Sequence, residues 1–386
     1  MSTECRTRAW VEVDGAAFRR NVRRVREAVG PDVALVPMVK ADAYGTGVRE
    51  AVAILDRESP WGYGVATVDE GRELRRQGVE GPVLVCTPAS PESIPAAVDA
   101  DLTLSISDLP SLDRLETAAR EQERRPAFHV EVDTGMGRAG FPWWDAGEWA
   151  PALAASVERT RWAGIYTHFH SADEARDTSA GLQWERLCSV VQGVEAIPSD
   201  LFLHAANSAG IFRSPGVHGQ GVRPGIFLYG GRPGPDLPRP EPVVHLRARV
   251  VRVQEVPAGT TVGYGSTYSA KGRERWATLT IGYGDGLPRV LGNRSNALIR
   301  GRRAPIIGRI SMDLTVVDIT NVDEALGTAP VRPGETATLL GSDGEGRIEL
   351  EDVAEEAGTI NYEILTGLAP RLPRIWTDVG EGPDDG

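Results

Sequence analysis

Residues 33–45 read VALVPMVKADAYG. Val33 to Val39 is an unbroken apolar run, too short for a buried helix and preceded by Gly30 and Pro31. That is the pattern of a fully buried strand. It stops on Lys40. Upstream, Ala16–Ala28 places Phe18, Val22 and Val25 three to four residues apart among arginines, which predicts an amphipathic helix closed by Gly30 and Pro31. Downstream the unit repeats. Apolar runs recur at Tyr63–Thr67, Val83–Cys86, Leu102–Ile106, Phe128–Val132, Trp162–His168, Leu201–His204 and Ile226–Tyr229. Helical patterns fall between most of them, at Asp69–Gln77, Leu109–Gln122, Trp143–Val157 and Ala180–Ala196. Strand–helix alternation builds parallel βαβ units. Eight such units between residues 8 and 240 match the ~200–250 residues of a closed (β/α)8 TIM-like barrel better than an open doubly wound sheet.

The pattern changes at Arg232–Pro242, which holds five prolines and reads as a linker or rigid corner. Beyond it, strand-like runs at Val243–Val253, Trp276–Ile281, Ala297–Ile299, Ala304–Ile307, Asp313–Asp318 and Thr336–Leu340 alternate with turn residues. They predict a C-terminal, mainly antiparallel β-domain over 241–378, with one helix at Glu351–Gly358. The acidic, Gly/Pro-rich tail 379–386 is expected to be disordered.

The chain has 386 residues, 41% hydrophobic and 25% charged, the composition of an ordinary globular protein of about two domains. A net charge of −12 argues against nucleic acid as a partner, since such binders carry a basic face. No window approaches the ~18–20 apolar residues of a membrane span, and the polar start does not read as a signal peptide. The three cysteines, Cys5, Cys86 and Cys188, fit neither a disulfide framework nor a zinc knuckle, so a reducing cytoplasm is expected. Of 42 basic residues only Lys40 and Lys271 are lysine, leaving two candidates for side-chain amine chemistry.

A (β/α)8 barrel carries its active site at the C-terminal ends of its strands. Just past the apolar runs stand Lys40, the stretch Glu131 to Arg138, His168 and His170, then His204, Asn207 and Ser208, and finally Gly221 to Ile226 with Arg223 between glycines. Taken singly each is unremarkable: a solvated lysine, a satisfied core histidine, turn-forming Asp133 and Asn207, a glycine bend. Together they offer an amine, a planar-ring neighbour in His168, a glycine cradle able to bring backbone N–H groups to an anion, and a fixed guanidinium. A phosphorylated aldehyde held as a Schiff base suits that set, and pyridoxal phosphate is the natural candidate. The motifs of serine hydrolases, phosphate-loop enzymes and zinc proteases are missing. His168, His170 and Asp173 could ligate a metal, but the reading without a metal is preferred.

VKADAYG at 39–45 resembles the cofactor-lysine motif of the alanine racemases, the fold-type III pyridoxal phosphate enzymes. The resemblance continues in the family's order through Val132–Arg138, Tyr166–Phe169, Asn207-Ser208, Val222–Gly225, Gly263–Gly265, Gly282–Gly286, Gly308–Asp313 and Asn361–Glu363, and spans about residues 8 to 375. It implies pyridoxal 5'-phosphate on Lys40 and two-base racemisation of L- and D-alanine by Lys40 and Tyr264, supplying D-alanine for peptidoglycan. It further implies that Tyr44, Ser208, Gly225, Ile226 and Tyr362 hold the phosphate. His168, the planar-ring neighbour, and Asn207 would also bind the cofactor, with Arg223 at its ring nitrogen. Arg138, Met312, Tyr283 and Asp313 would bind the substrate. A free phenol, with a pKa of about 10, is a weak base at neutrality, so Tyr264 would need His168 and Arg223 nearby. In the family, Tyr264, Tyr283 and Met312 come from the second subunit of a head-to-tail homodimer. The sequence alone leaves open whether Lys40 and Tyr264 meet within one chain or across two.

Four positions depart from the family pattern. Thr46 replaces a histidine, Ser311 a cysteine and His170 a small residue. Glu131 stands where many members carry a carbamylated lysine, and is read as supplying directly the negative charge that orients Arg138. These departures leave room for a racemase of the same build acting on serine or a larger amino acid. A non-catalytic homologue is disfavoured by retention of Lys40 and Tyr264, and a decarboxylase by Arg223.

Overall fold

A computed structural model describes residues 8–176, 178–326 and 329–379. The expected disordered tail falls, but for Val379, outside the described residues, as does Cys5. Among the described residues no helix is long and apolar enough to cross a membrane.

The first strand, β1 (Ala9–Asp14), is followed by helix α1 (Gly15–Val29), which Asp14 caps by accepting from the Ala17 N–H at 2.8 Å. Phe18, Val22 and Val25 face inward, as their spacing predicts. The parallel strands are β2 (Ala34–Leu35), β3 (Tyr63–Val65), β4 (Val83–Val85), β5 (Thr103–Ile106), β6 (Ala127–Asp133), β7 (Arg161–Tyr166), β8 (Phe202–Asn207) and β9 (Gly221–Arg223). They lie in the order β2-β9-β8-β7-β6-β5-β4-β3. A parallel bridge between Met38 and Gly64 closes the ring, with Val39 N–H donating to Gly64 O and Gly64 N–H to Pro37 O, both at 2.9 Å.

Two expectations are corrected. The eighth strand is Gly221–Arg223, not Ile226–Tyr229, which forms a buried turn. A short apolar run cannot by itself distinguish a strand from a turn packed in the core, and Pro224 ends the ladder because it has no N–H to donate. The second correction concerns residues 9–14, expected within the barrel. They join the other sheet, because a short apolar strand does not encode which sheet it enters.

That other sheet is built on the long strand β10 (Val244–Val256), followed by β11 (Glu274–Leu279), β12 (Asn296–Ile299), β13 (Arg302–Ile307), β14 (Thr315–Asp318), β15 (Thr336–Asp343), β16 (Gly346–Ile348) and β17 (Arg374–Thr377). Strand β15 pairs with both β12 and β10, so six antiparallel strands close on themselves. Strand β1 pairs antiparallel with β10 and parallel with β17. One apolar core runs through both sheets. At their junction Phe18 packs against Tyr229 and edge-on against Trp376, with ring centroids 5.3 and 5.6 Å away.

Candidate active site

The segment after Lys40 is left-handed. Ala41, Asp42, Ala43 and Tyr44 all have φ between 52° and 56°, a conformation that costs an L-residue about 1–2 kcal/mol. Contacts from several elements hold it. The Ala41 N–H donates to Glu70 Oε1 at 2.7 Å, and Asp42 Oδ1 accepts from the Val48 N–H at 2.8 Å. From the C-terminal strand β17, Trp376 Nε1 donates to Thr46 O at 2.8 Å and Arg374 Nε to Gly45 O at 3.0 Å. Thr46 is fully buried, and its hydroxyl donates to Ala43 O at 2.6 Å. A small alcohol therefore serves the turn at the position where the family pattern has histidine. The strained turn stations Lys40 on the wall of a cavity of about 230 Å³.

The same cavity is lined by Tyr44, Arg138, His168, Asn207, Ser208, Arg223, Gly225, Ile226 and Tyr362, along with Met38, Ala66, Cys86, Thr87, Glu131 and Tyr166. One end gathers groups that could hold an anion. Ser208 Oγ accepts from the Gly225 N–H at 2.8 Å. Asn207 caps the helix Ser208–Arg213, accepting from the Gly210 N–H at 2.9 Å. A Cβ on Gly225 would lie 2.2 Å from the Tyr44 hydroxyl, so the Tyr44 phenol and the Gly225 backbone approach as only glycine allows. Burial pushes the Tyr44 phenol well above its ordinary range and that of Tyr362 up to about 12, so both remain neutral hydrogen-bond donors.

The other end is governed by Arg223, buried inside the barrel. Its Nη2 donates to Thr167 O at 2.8 Å and Ala205 O at 3.0 Å, and lies 3.4 Å from His168 Nδ1. Its Nη1 meets His204 Nδ1 at 2.5 Å. The guanidinium also lies over the Tyr166 ring, 4.9 Å from its centroid, a cation–π contact. Burial lowers the Arg223 pKa, and Cys86, Tyr166 and Glu131 oppose that shift. Burial, then Arg223, Arg138 and Lys40, hold His168 down to about 3, so it is a neutral imidazole. An amine, an anion cradle and a buried fixed cation in one cavity fit a phosphorylated pyridine aldehyde.

Arg138 is exposed at the cavity rim, on a loop whose Gly135 and Gly137 N–H groups both donate to Asp133 Oδ1, at 2.9 and 3.0 Å. Asp133 is thus the turn residue its type suggests. Glu131 is buried and accepts from the Tyr166 hydroxyl at 3.2 Å. Burial raises its carboxyl pKa, against Tyr166, Arg223 and Arg138. Among the described residues no ion pair joins Glu131 to Arg138, so any influence between them acts through space. His170 is exposed outside the cavity, bonded to Ser171. Among the described residues no three His, Cys, Asp or Glu side chains gather as metal ligands.

His204, expected at the mouth, lies inside the barrel beneath Arg223. Tyr166 and His129 carried no assigned role in the sequence, yet both pack beside it. The signal was available: His129 and Glu131 are two residues apart on β6, as are Gly164 and Tyr166 on β7, the period of one strand face.

Tyr264, Tyr283, Met312 and Asp313 do not line the Lys40 cavity of their own chain. They stand on the β-domain surface, with Tyr264 68%, Met312 53% and Tyr283 41% exposed. Tyr283 and Met312 are on adjoining loops, joined by Tyr283 N–H to Ser311 O at 3.0 Å and Gly284 N–H to Met312 O at 2.9 Å. Beneath them Asp285, fully buried, binds Arg8 through both oxygens at 2.6 and 2.8 Å and Arg371 at 2.8 Å. Asp313 pairs with Arg371 at 2.9 Å.

The family models for the alanine racemase N-terminal and C-terminal domains match residues 13–233 and 243–376. An alanine racemase of Carboxydothermus hydrogenoformans is 40% identical over 95% of this chain and 99% of its own length. One from Halothermothrix orenii is 36% identical over 95% and 96%. Among solved structures, the alanine racemase of Streptomyces lavendulae superposes with a TM-score of 0.88 at 33% identity, covering 96% of this chain and 97% of that one. That of Bartonella henselae, with covalently bound pyridoxal phosphate, does so with a TM-score of 0.86 at 26% identity, covering 96% and 100%.

Proposed function

The chain belongs to the alanine racemase family, and from that membership we propose that it interconverts L- and D-alanine, with pyridoxal 5'-phosphate on Lys40, as a head-to-tail homodimer. The observation that carries this reading is the convergence on one cavity of one of the two lysines, a buried arginine, and Ser208 and Tyr44 drawn together at Gly225. When bound, the cofactor supplies an aldehyde for covalent capture of an amine and an electron-withdrawing ring that acidifies the α-carbon. Tyr44, Ser208, Tyr362 and the backbone of Gly225 and Ile226 would hold the phosphate. His168 and Asn207 would flank the ring, the neutral imidazole adding no second cation. Arg223 would face the ring nitrogen. A guanidinium has only donors and keeps its protons, so Arg223 would leave that nitrogen unprotonated, which would temper the electron withdrawal and disfavour side reactions such as transamination.

Racemisation removes the α-proton from one face and returns a proton to the other. Lys40 serves one face. The opposite base would be Tyr264 of the partner subunit, with Arg138 binding the substrate carboxylate. Met312, Tyr283 and Asp313 of the partner subunit would complete the substrate pocket. Supporting the dimer, each chain leaves half a site uncovered: an open cavity on the barrel, and exposed Tyr264, Tyr283, Met312 and Leu314 on the β-domain. Free thiols at Cys86 and Cys188 fit a reducing compartment, and we place the enzyme in the cytoplasm, supplying D-alanine for peptidoglycan.

Two measurements test the proposal. Borohydride treatment of the purified holoenzyme should fix the cofactor on Lys40 and leave Lys271 unmodified. In deuterated buffer, a panel of single L-amino acids should show rapid α-proton exchange with alanine. A label on Lys271, or faster exchange with serine or a larger substrate than with alanine, would overturn it.

A further inference from the structure

The barrel axis carries a hydrogen-bonded line that the proposed mechanism does not use. Arg223 Nη1 meets His204 Nδ1 at 2.5 Å, and His204 Nε2 meets His129 Nδ1 at 2.9 Å. Both imidazoles are fully buried. His129 Nε2 is buried without a partner in the chain, and the residue lines a second cavity at the opposite end of the barrel, walled also by Thr103, Arg161 and Gln220. Space for the ring is built in. Gly164 is the register partner of His129 on β7, and a Cβ there would lie 2.6–2.7 Å from three atoms of the imidazole.

The donor inventory leaves one proton arrangement. A guanidinium can only donate, so His204 Nδ1 must accept. A neutral imidazole has one N–H, so that of His204 is on Nε2 and donates to His129 Nδ1. The proton of His129 is then on Nε2, the nitrogen without a partner in the chain. Any other tautomer, or a proton added to either ring, sets two donors against each other in a water-poor interior, where an unmade hydrogen bond is costly.

We propose that His129 is a positioning residue for Arg223: by accepting the Nε2–H of His204 it locks His204 into the tautomer whose Nδ1 receives Arg223, and so aims the guanidinium from the opposite end of the barrel. Arg161 and Arg223 are the charged groups bearing on His129; Arg223 is the charged group bearing on His204, with the titratable ring of His129 beside it. All of these disfavour the imidazolium, in keeping with the lock. What the guanidinium does at the cofactor rests on the function proposed above; the lock itself does not.

The test is nitrogen NMR on 15N-histidine holoenzyme. His129 and His204 should each carry one proton, on Nε2, and remain neutral from pH 8 to pH 5. His204 protonated on Nδ1, or cationic at pH 6, overturns the inference. His129→Asn keeps an acceptor for His204 Nε2–H and should preserve the His204 signal and, within about twofold, the partition between racemisation and transamination. His129→Leu removes the acceptor. It should send His204 into tautomer exchange and raise the transamination share about tenfold, the effect of one hydrogen bond to a charged group. Should His129→Leu not fold, Gly164→Ala, which crowds the same ring, takes its place with the same expected outcome. An unaltered His204 signal in the variant that folds overturns the lock. Absence of racemisation in the wild type with the tautomers as stated would count against the proposed function and leave the lock standing.

Discussion

Gly225 shows how little separates a cofactor cradle from an ordinary loop. The methyl group of an alanine there would fall 2.2 Å from the hydroxyl of Tyr44, itself buried and stacked on Tyr229 with centroids 4.6 Å apart. Tyr44 would have to move its hydroxyl into the cavity it lines. Gly225→Ala should therefore leave the fold intact and weaken pyridoxal phosphate retention by at least about tenfold, which is roughly 1.4 kcal/mol. Fluorescence titration of the cofactor-stripped variant checks this, and unchanged affinity would remove Tyr44 and Gly225 from the cradle. Glu131 teaches a different lesson at this scale. Its residue type pointed to a charge for Arg138, whereas its oxygen receives the Tyr166 hydroxyl, a partner assigned by the packing of neighbouring strands.

At the scale of elements, the left-handed turn Ala41–Tyr44 is held against its own preference by β17, from the far end of the chain, and by Glu70. Ala41 is exposed, with φ 54°. Replacing it with glycine relieves the left-handed penalty, and part of that gain is offset because glycine orders at greater entropic cost. Ala41→Gly should thus stabilise the protein by roughly 0.5–1 kcal/mol while lowering kcat, because the turn that aims Lys40 loosens. Paired denaturant melts and steady-state kinetics measure both effects. Destabilisation would show that the turn is not strained at Ala41. The sequence motif located this turn but concealed its handedness, since nothing in Ala-Asp-Ala-Tyr favours a left-handed backbone. Only the contacts from β17 and Glu70 make it tolerable.

Over the whole molecule, the buried histidines set the response to acid. Burial holds His129 and His168 down to about 3, with nearby arginines adding to it, and lowers His204 well below its usual value. His218 and His245 shift the same way. A depressed histidine is neutral when folded but protonates near pH 6.5 when unfolded. These groups therefore leave stability untouched above about 6.5 and reduce it as pH falls from there toward 3. Glu131, raised, acts in the opposite sense. His129 and His168 alone each take up a proton only on unfolding, two proton equivalents in all, or about 3 kcal/mol per pH unit at the steepest. Urea melts at pH 7.5, 6 and 5 should show the midpoint falling, and a flat profile would mean the rings are not buried neutral. The residue order alone determined the alternation of strands and helices, the change of character at the proline-rich segment and the lysine just past the first barrel strand. Periodicity and turn chemistry are local, and a linear reading captures them. The tertiary structure decided that residues 9–14 join the second sheet, that the eighth barrel strand ends before Pro224, that His129 stands behind Arg223, and that Tyr264 is exposed outside the cavity of its own chain. Each of these depends on which distant segments share a neighbour, and pairing across space leaves no local mark on the chain.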